Sequence, residues 1–200
     1  MFFKEVGKHI IIFAVHVDDG MVTGSNVALI NKFKVEMNEK YSLTDLGAVN
    51  WLLSIKIIHD LVNKTLSLSQ HAYINAIITK FNFDDLKPST IPMDPSAPLS
   101  PSKLEDINKM RNVPYREAVG SLMYAAMGTR PDIAFTTSTV AQFNDNPGWV
   151  HWEVVKRIYR YLKGTRDLVL TYGGDKRGLV GYVDADGASP QSNLWVHIYG

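Results

Sequence analysis

Cysteine is absent from the 200 residues, which excludes disulfides and thiolate metal sites and points to an intracellular protein, with cytoplasm and nucleus not distinguished. Net charge is almost absent too. With 21 Lys and Arg against 20 Asp and Glu, any polyanionic partner must be met by local clusters rather than by the field of the whole chain. Long apolar runs are missing as well. The longest, 10-IIIFAVHV-17, contains a histidine, stops at two aspartates and falls far short of the roughly 20 residues that cross a bilayer, so no membrane role is expected. It also lacks a small-residue cleavage site, so it reads as a strand rather than a signal peptide, and the chain is expected to begin inside a fold near Met1. There is no internal repeat and no low-complexity tract. A composition of 46% hydrophobic and 20% charged residues is that of a folded chain, not a disordered one.

What is present alternates between strand and helix chemistry. The β-branched run 9-HIIIFAVHV-17 predicts a strand buried on both faces, with 21-MVTG-24 as its return after a turn at Asp19-Gly20. Leu29, Ile30, Phe33 and Met37 recur at helical spacing behind Ser25 or Asn26, either of which suits an N-cap. The segments 51-WLLSIKIIH-59 and 65-TLSLS-69 predict a second hairpin turning about Asn63 and Lys64, followed by a helix over 70–82 capped by Ser69. Five of the nine prolines fall in 86–102, so this stretch is a linker or a strap across the surface. Pro114 and Pro131 suit the first turns of helices over 115–127 and 132–143, and Gly164 suits a left-handed cap on a helix over 150–163. Strand chemistry returns at 168-LVLTYGG-174 and 179-LVGYVDADGA-188.

Three constellations could carry chemistry. Asp18 and Asp19 stand side by side with no basic neighbour. Read alone they form a turn in most proteins; alternatively they offer hard oxygen ligands to Mg²⁺. Lys156, Arg157, Arg160 and Lys163 lie opposite the apolar stripe Trp152, Val155, Ile158, Tyr159 and Leu162, either as a solvated face or as a row of phosphate contacts. Asp184 and Asp186 alternate along a predicted strand and share one side, facing solvent or forming a wall of a carboxylate metal site.

Taken in order, 16-HVDDGMVTGSN-26, 44-TDLGAVNWLLSIKI-57, 66-LSLSQHAYI-74, 79-TKFNFDDLKPSTIPM-93, 114-PYREAVGSLMYAAMGTRPDIAF-135, 151-HWEVVKRIYRYLKGT-165 and 181-GYVDADGA-188 resemble the reverse transcriptase of copia-type LTR retrotransposons. Each segment is weak alone, and the ordered set is specific. The resemblance implies an α+β chain: partial palm hairpins and a first thumb helix over 1–85, a Pro-rich linker over 86–113, a helical thumb and connection over 114–167, and the start of an RNase H-like domain over 168–200. It implies RNA-directed DNA synthesis on a template–primer duplex with deoxynucleoside triphosphates and two Mg²⁺ ions. Asp18 and Asp19 would be the metal-binding catalytic pair and Asp184 the first RNase H carboxylate. Trp51, Ser54 and Lys56 would position the primer end, and Lys156, Arg157, Arg160 and Lys163 would grip the duplex.

Departures from the family pattern stand at His16, usually aromatic; Gly20, usually a larger apolar residue; Ser54, usually Gly; Lys56, usually acidic; and Gly187, usually Trp. The family's fingers and first palm aspartate lie upstream of the acidic hairpin. The 200 residues alone are therefore expected to be a fragment with little polymerase activity, and unpaired palm strands that invite self-association. A non-catalytic nucleic-acid-binding remnant is the alternative.

Overall fold

The structure, a computed structural model, describes residues 1–94, 96, 97, 99 and 109–174. It is α+β with antiparallel sheets throughout. The first sheet runs β1 (Phe2–Val6), β2 (His9–His16) and β3 (Asp19–Gly24) in chain order. Helix α1 (Val27–Tyr41) follows, started by the Asn26 carboxamide oxygen, which accepts from the Leu29 N–H at 3.2 Å. The predicted cap is thus Asn26. Phe13 on β2 meets Phe33 on α1 edge to face, with centroids 5.3 Å apart.

This layer is thin. Only Ile11 of β2 is buried, and no residue of α1 is, whereas the sequence predicts β2 to be buried on both faces. Its alternation instead serves a sheet with one helix against it, and Phe2, Phe3, Val6, Ile10 and Val15 remain exposed.

The second sheet runs β4 (Trp51–Leu52), β5 (Ile55–Asp60), β6 (Thr65–Ser69) and β7 (Leu170–Gly173). The turn between β5 and β6 includes Asn63 and Lys64, as predicted. There the backbone and side-chain amides of Asn63 hold the Asp60 carboxyl below its ordinary pKa. β7 pairs with β6, Leu68 opposite Leu170 and Leu66 opposite Tyr172. β7, which starts two residues past position 168, thus closes this sheet, with Leu170 and Tyr172 finding their partners on β6.

Among the described residues the core is made chiefly by α2 (His71–Lys80), α3 (Tyr115–Gly128), α4 (Ala134–Ala141) after a 3₁₀ turn at Pro131–Ile133, and α5 (Trp149–Gly164). Ile74, Val119, Leu122, Ile133, Val140, Val155, Ile158, Tyr159 and Leu162 are all fully enclosed there. Phe81, Phe83, Trp152 and Tyr115 extend it as a chain of aromatic contacts. Burial pushes the Tyr159 phenol well above its ordinary pKa, and its hydroxyl donates to the Ala118 carbonyl at 3.0 Å. Among the described residues no helix is long and apolar enough to cross a membrane.

Candidate catalytic hairpin and nucleic-acid interface

The acidic pair sits at the end of the β2–β3 hairpin, one step away from where the sequence puts the turn. The turn is Val17-Asp18, and Asp19 already belongs to β3, paired with His16. Gly20 is a strand residue opposite Val15. A Cβ there would lie 3.1 Å from the Phe13 ring, so glycine makes room for that aromatic rather than for a turn. Val17 takes a φ of 53°, a left-handed conformation that is costly for a β-branched residue. Both carboxylates are exposed, and neither has a hydrogen-bond or ion-pair partner among the described residues.

Two unpaired, adjacent carboxylates suit a hard cation chemically. Among the described residues no group of three or more His, Cys, Asp or Glu surrounds such a position. Asp184, with its neighbour Asp186, lies outside the described residues.

Trp51, Ser54 and Lys56 share the second hairpin. Trp51 stands opposite Lys56 across β4 and β5, and both side chains are exposed. Ser54 lies at the tip with Leu53, and both have positive φ, 60° and 49°. Such angles suit glycine better than leucine or serine. The Leu53 carbonyl accepts a hydrogen bond from the Tyr124 hydroxyl of α3.

The basic residues of α5 are engaged within the chain. Lys156 pairs with Glu153 and lies over the Trp149 ring, 5.1 Å from its centroid. Arg157 approaches Asp94 at 3.8 Å, and the Ser96 hydroxyl and backbone N–H keep that aspartate's pKa low. Arg160 Nε donates to the Lys87 carbonyl at 2.6 Å, and Lys163 Nζ donates to the carbonyls of Asp84 and Leu86. Residues 84–94 thus form a strap across α5, held by three of the four basic side chains. Gly164 is the last residue of the helix, not a left-handed cap. Its missing Cβ would lie 3.1 Å from Pro88, so it lets the strap close on the helix. Among the described residues no hydrogen bond or ion pair joins the acidic hairpin, the Trp51 hairpin and the basic face to one another.

The sequence does not single out Arg130, Gln70 or Tyr124. Arg130 is 1% exposed and donates to both Asp132 oxygens at 2.9 and 2.7 Å, and to the Thr165 carbonyl and hydroxyl at 3.0 and 2.6 Å. It ties the α3–α4 corner to the end of α5. Gln70, fully buried, accepts from the Thr129 hydroxyl at 2.9 Å and fills the space where a Gly128 side chain would stand. The signal for Arg130 was an Arg and an Asp flanking a proline, 130-RPD-132, a spacing that suits one charge folding back on the other.

Residues 1–95 match the family model described as reverse transcriptase (RNA-dependent DNA polymerase). The chain is 39% identical, over 96% of its length, to the retrovirus-related Pol polyprotein from transposon TNT 1-94 of Nicotiana tabacum. It is 34% identical, over 96%, to the corresponding polyprotein from transposon RE1 of Arabidopsis thaliana, and 32% identical, over 92%, to a transposon Ty5-1 protein of Saccharomyces cerevisiae. It spans 15%, 13% and 59% of those relatives. No solved structure matches. The family-model match over residues 1–95 and the similarity along almost the whole chain to Pol polyproteins of copia-type transposons place the chain in the reverse transcriptase family of copia-type retrotransposons.

Proposed function

We propose that the chain is the part of a retrotransposon RNA-directed DNA polymerase that carries one wall of the catalytic centre. The unpartnered Asp18 and Asp19 at the end of the β2–β3 hairpin carry this reading. The first sheet is a partial palm, the four helices a thumb and connection, and residues 168–200, with Asp184, the start of an RNase H-like domain. Asp18 would hold a Mg²⁺ ion, with Asp19, anchored in β3, beside it in a less direct role. Bound between this wall and a second one, Mg²⁺ would lower the pKa of the primer 3′-hydroxyl and neutralise the departing pyrophosphate. The Trp51 indole offers a stacking surface for the primer end, and the exposed Lys56 ammonium offers a phosphate contact. The partners are an RNA or DNA template–primer duplex and a deoxynucleoside triphosphate, met inside the cell. The uncovered side of the first sheet favours self-association when the 200 residues are isolated.

A role confined to nucleic-acid binding through α5 has less support, because Arg157, Arg160 and Lys163 already hold the strap. Two primer-extension assays test the proposal. The purified 200-residue chain is expected to give no extension. A fusion to the preceding polymerase segment of the tobacco relative is expected to extend, with Asp18→Asn lowering the rate by about 100-fold or more, the scale of losing a metal-bound transition state. Robust Asp18-dependent synthesis by the 200 residues alone would refute the single-wall reading. Undiminished synthesis by the Asp18→Asn fusion would remove Asp18 from the metal site.

A further inference from the structure

The β4–β5 hairpin has an unusual tip. β4 is two residues long, and the connection places Leu53 and Ser54 at positive φ, 49° and 60°. Turns of this kind are normally occupied by Asn and Gly, since an L side chain at such angles crowds its own backbone. Neither tip residue here relieves that strain. Another element offsets it: Tyr124, on the outer side of α3, donates its hydroxyl hydrogen to the Leu53 carbonyl. Tyr124 is itself braced. Its ring meets Tyr73 of α2 edge to face, with centroids 4.9 Å apart, and the Tyr73 hydroxyl donates to the Ser121 carbonyl of α3 at 3.0 Å. The two tyrosines form a short post from the helical core to the hairpin tip.

We infer that Tyr124 is a positioning residue: it docks the Leu53-Ser54 tip on α3 and thereby fixes Trp51 and Lys56, the cross-strand pair behind the tip, where a primer end would be held. The inference rests on the proposed reading of that hairpin as primer-positioning. Tyr124 touches no reacting group and acts through Leu53. With only two residues in β4, the pair Trp51 and Lys56 has little ladder of its own to keep it in register, so a pinned tip and a loose one differ in where those two side chains stand.

The experiment compares Tyr124→Phe, Ser54→Gly and the double variant in the 200-residue chain. It reads backbone amide exchange at Leu53, Ser54 and Ile55 by NMR, and affinity for a fluorescein-labelled RNA–DNA template–primer. Tyr124→Phe keeps the ring against Tyr73 and removes only the donor. It is expected to speed exchange at the tip, and to weaken template–primer binding, by about five- to tenfold, the scale of one lost hydrogen bond. Ser54→Gly, which relieves the backbone, is expected to restore both in the double variant. A lowered Tm with tip exchange and affinity unchanged would make Tyr124 merely structural and overturn the inference. So would a loss of affinity that Ser54→Gly does not rescue. If the unaltered chain binds no template–primer at all, the primer-positioning reading fails, and with it the functional half of the inference; tip exchange in Tyr124→Phe then decides the docking alone.

Discussion

At the scale of single residues, the strongest leverage lies away from the acidic pair. Arg130 is a cation removed from solvent and met by two carboxylate oxygens and by the end of α5. Truncating it leaves Asp132, 32% exposed, with the Tyr161 hydroxyl as its remaining side-chain partner and the end of α5 unbridged, a change that costs about 1–3 kcal/mol. Arg130→Met is expected to lower unfolding free energy by that amount in urea titration. Burial pushes the Asp132 carboxyl up, but the hydrogen bonds from Arg130 and Tyr161, with the charge of Arg130, outweigh it and leave its pKa below the ordinary 3.8. A group depressed in the folded state stabilises at neutral pH and loses that contribution as pH falls through its folded value. Asp132→Asn should therefore flatten the acid side of the stability curve below about pH 4 while leaving the slope near pH 7 unchanged, as measured by urea unfolding across pH.

At the scale of elements, periodicity was a good guide where one face packs and the other is wet. The apolar stripe of α5 is buried as its spacing predicts, Trp152, Val155, Ile158, Tyr159 and Leu162 alike. The polar face of the same helix was less legible. A row of cations reads the same whether it awaits phosphates or holds carbonyls, and only the path of residues 84–94 decides between them. Glycines misled for a related reason. Gly20 and Gly164 look like turn and cap signals, yet each makes room for a side chain from a neighbouring strand or segment, Phe13 and Pro88. The β2–β3 hairpin was legible as a hairpin, with its turn displaced by a single residue. If Arg160 and Lys163 clamp the strap, Arg160→Ala with Lys163→Ala should open residues 84–94 to limited proteolysis by roughly tenfold, about the worth of a single charge-assisted hydrogen bond. An unchanged cleavage rate would mean that Pro88 and Leu86 hold the strap without them.

At the scale of the whole molecule, order is unevenly distributed. The helical core encloses many apolar side chains completely, while the first sheet and α1 enclose Ile11 alone. Because exchange tracks local burial, amides of α3 and α5 should exchange slowest and those of β1–β3 several hundredfold faster, a gap of about 3–4 kcal/mol in local opening free energy. Hydrogen exchange followed by mass spectrometry reads this directly, and equal protection in both regions would contradict it. The same imbalance predicts that sedimentation velocity will detect concentration-dependent association, reduced by Phe2→Ser with Phe3→Ser on the exposed β1.

The pairing of β6 with β7 also bears on how the molecule is made. These neighbours are separated by roughly 100 residues of chain, which a ribosome adds in about 5–20 s. A nascent chain therefore presents the free edge of Thr65–Ser69 for seconds before Leu170–Gly173 emerges to cover it. Once covered, that ladder joins the two ends of the second half across the strap. A strap cut by protease after folding would leave two pieces that stay together until the sheet itself melts.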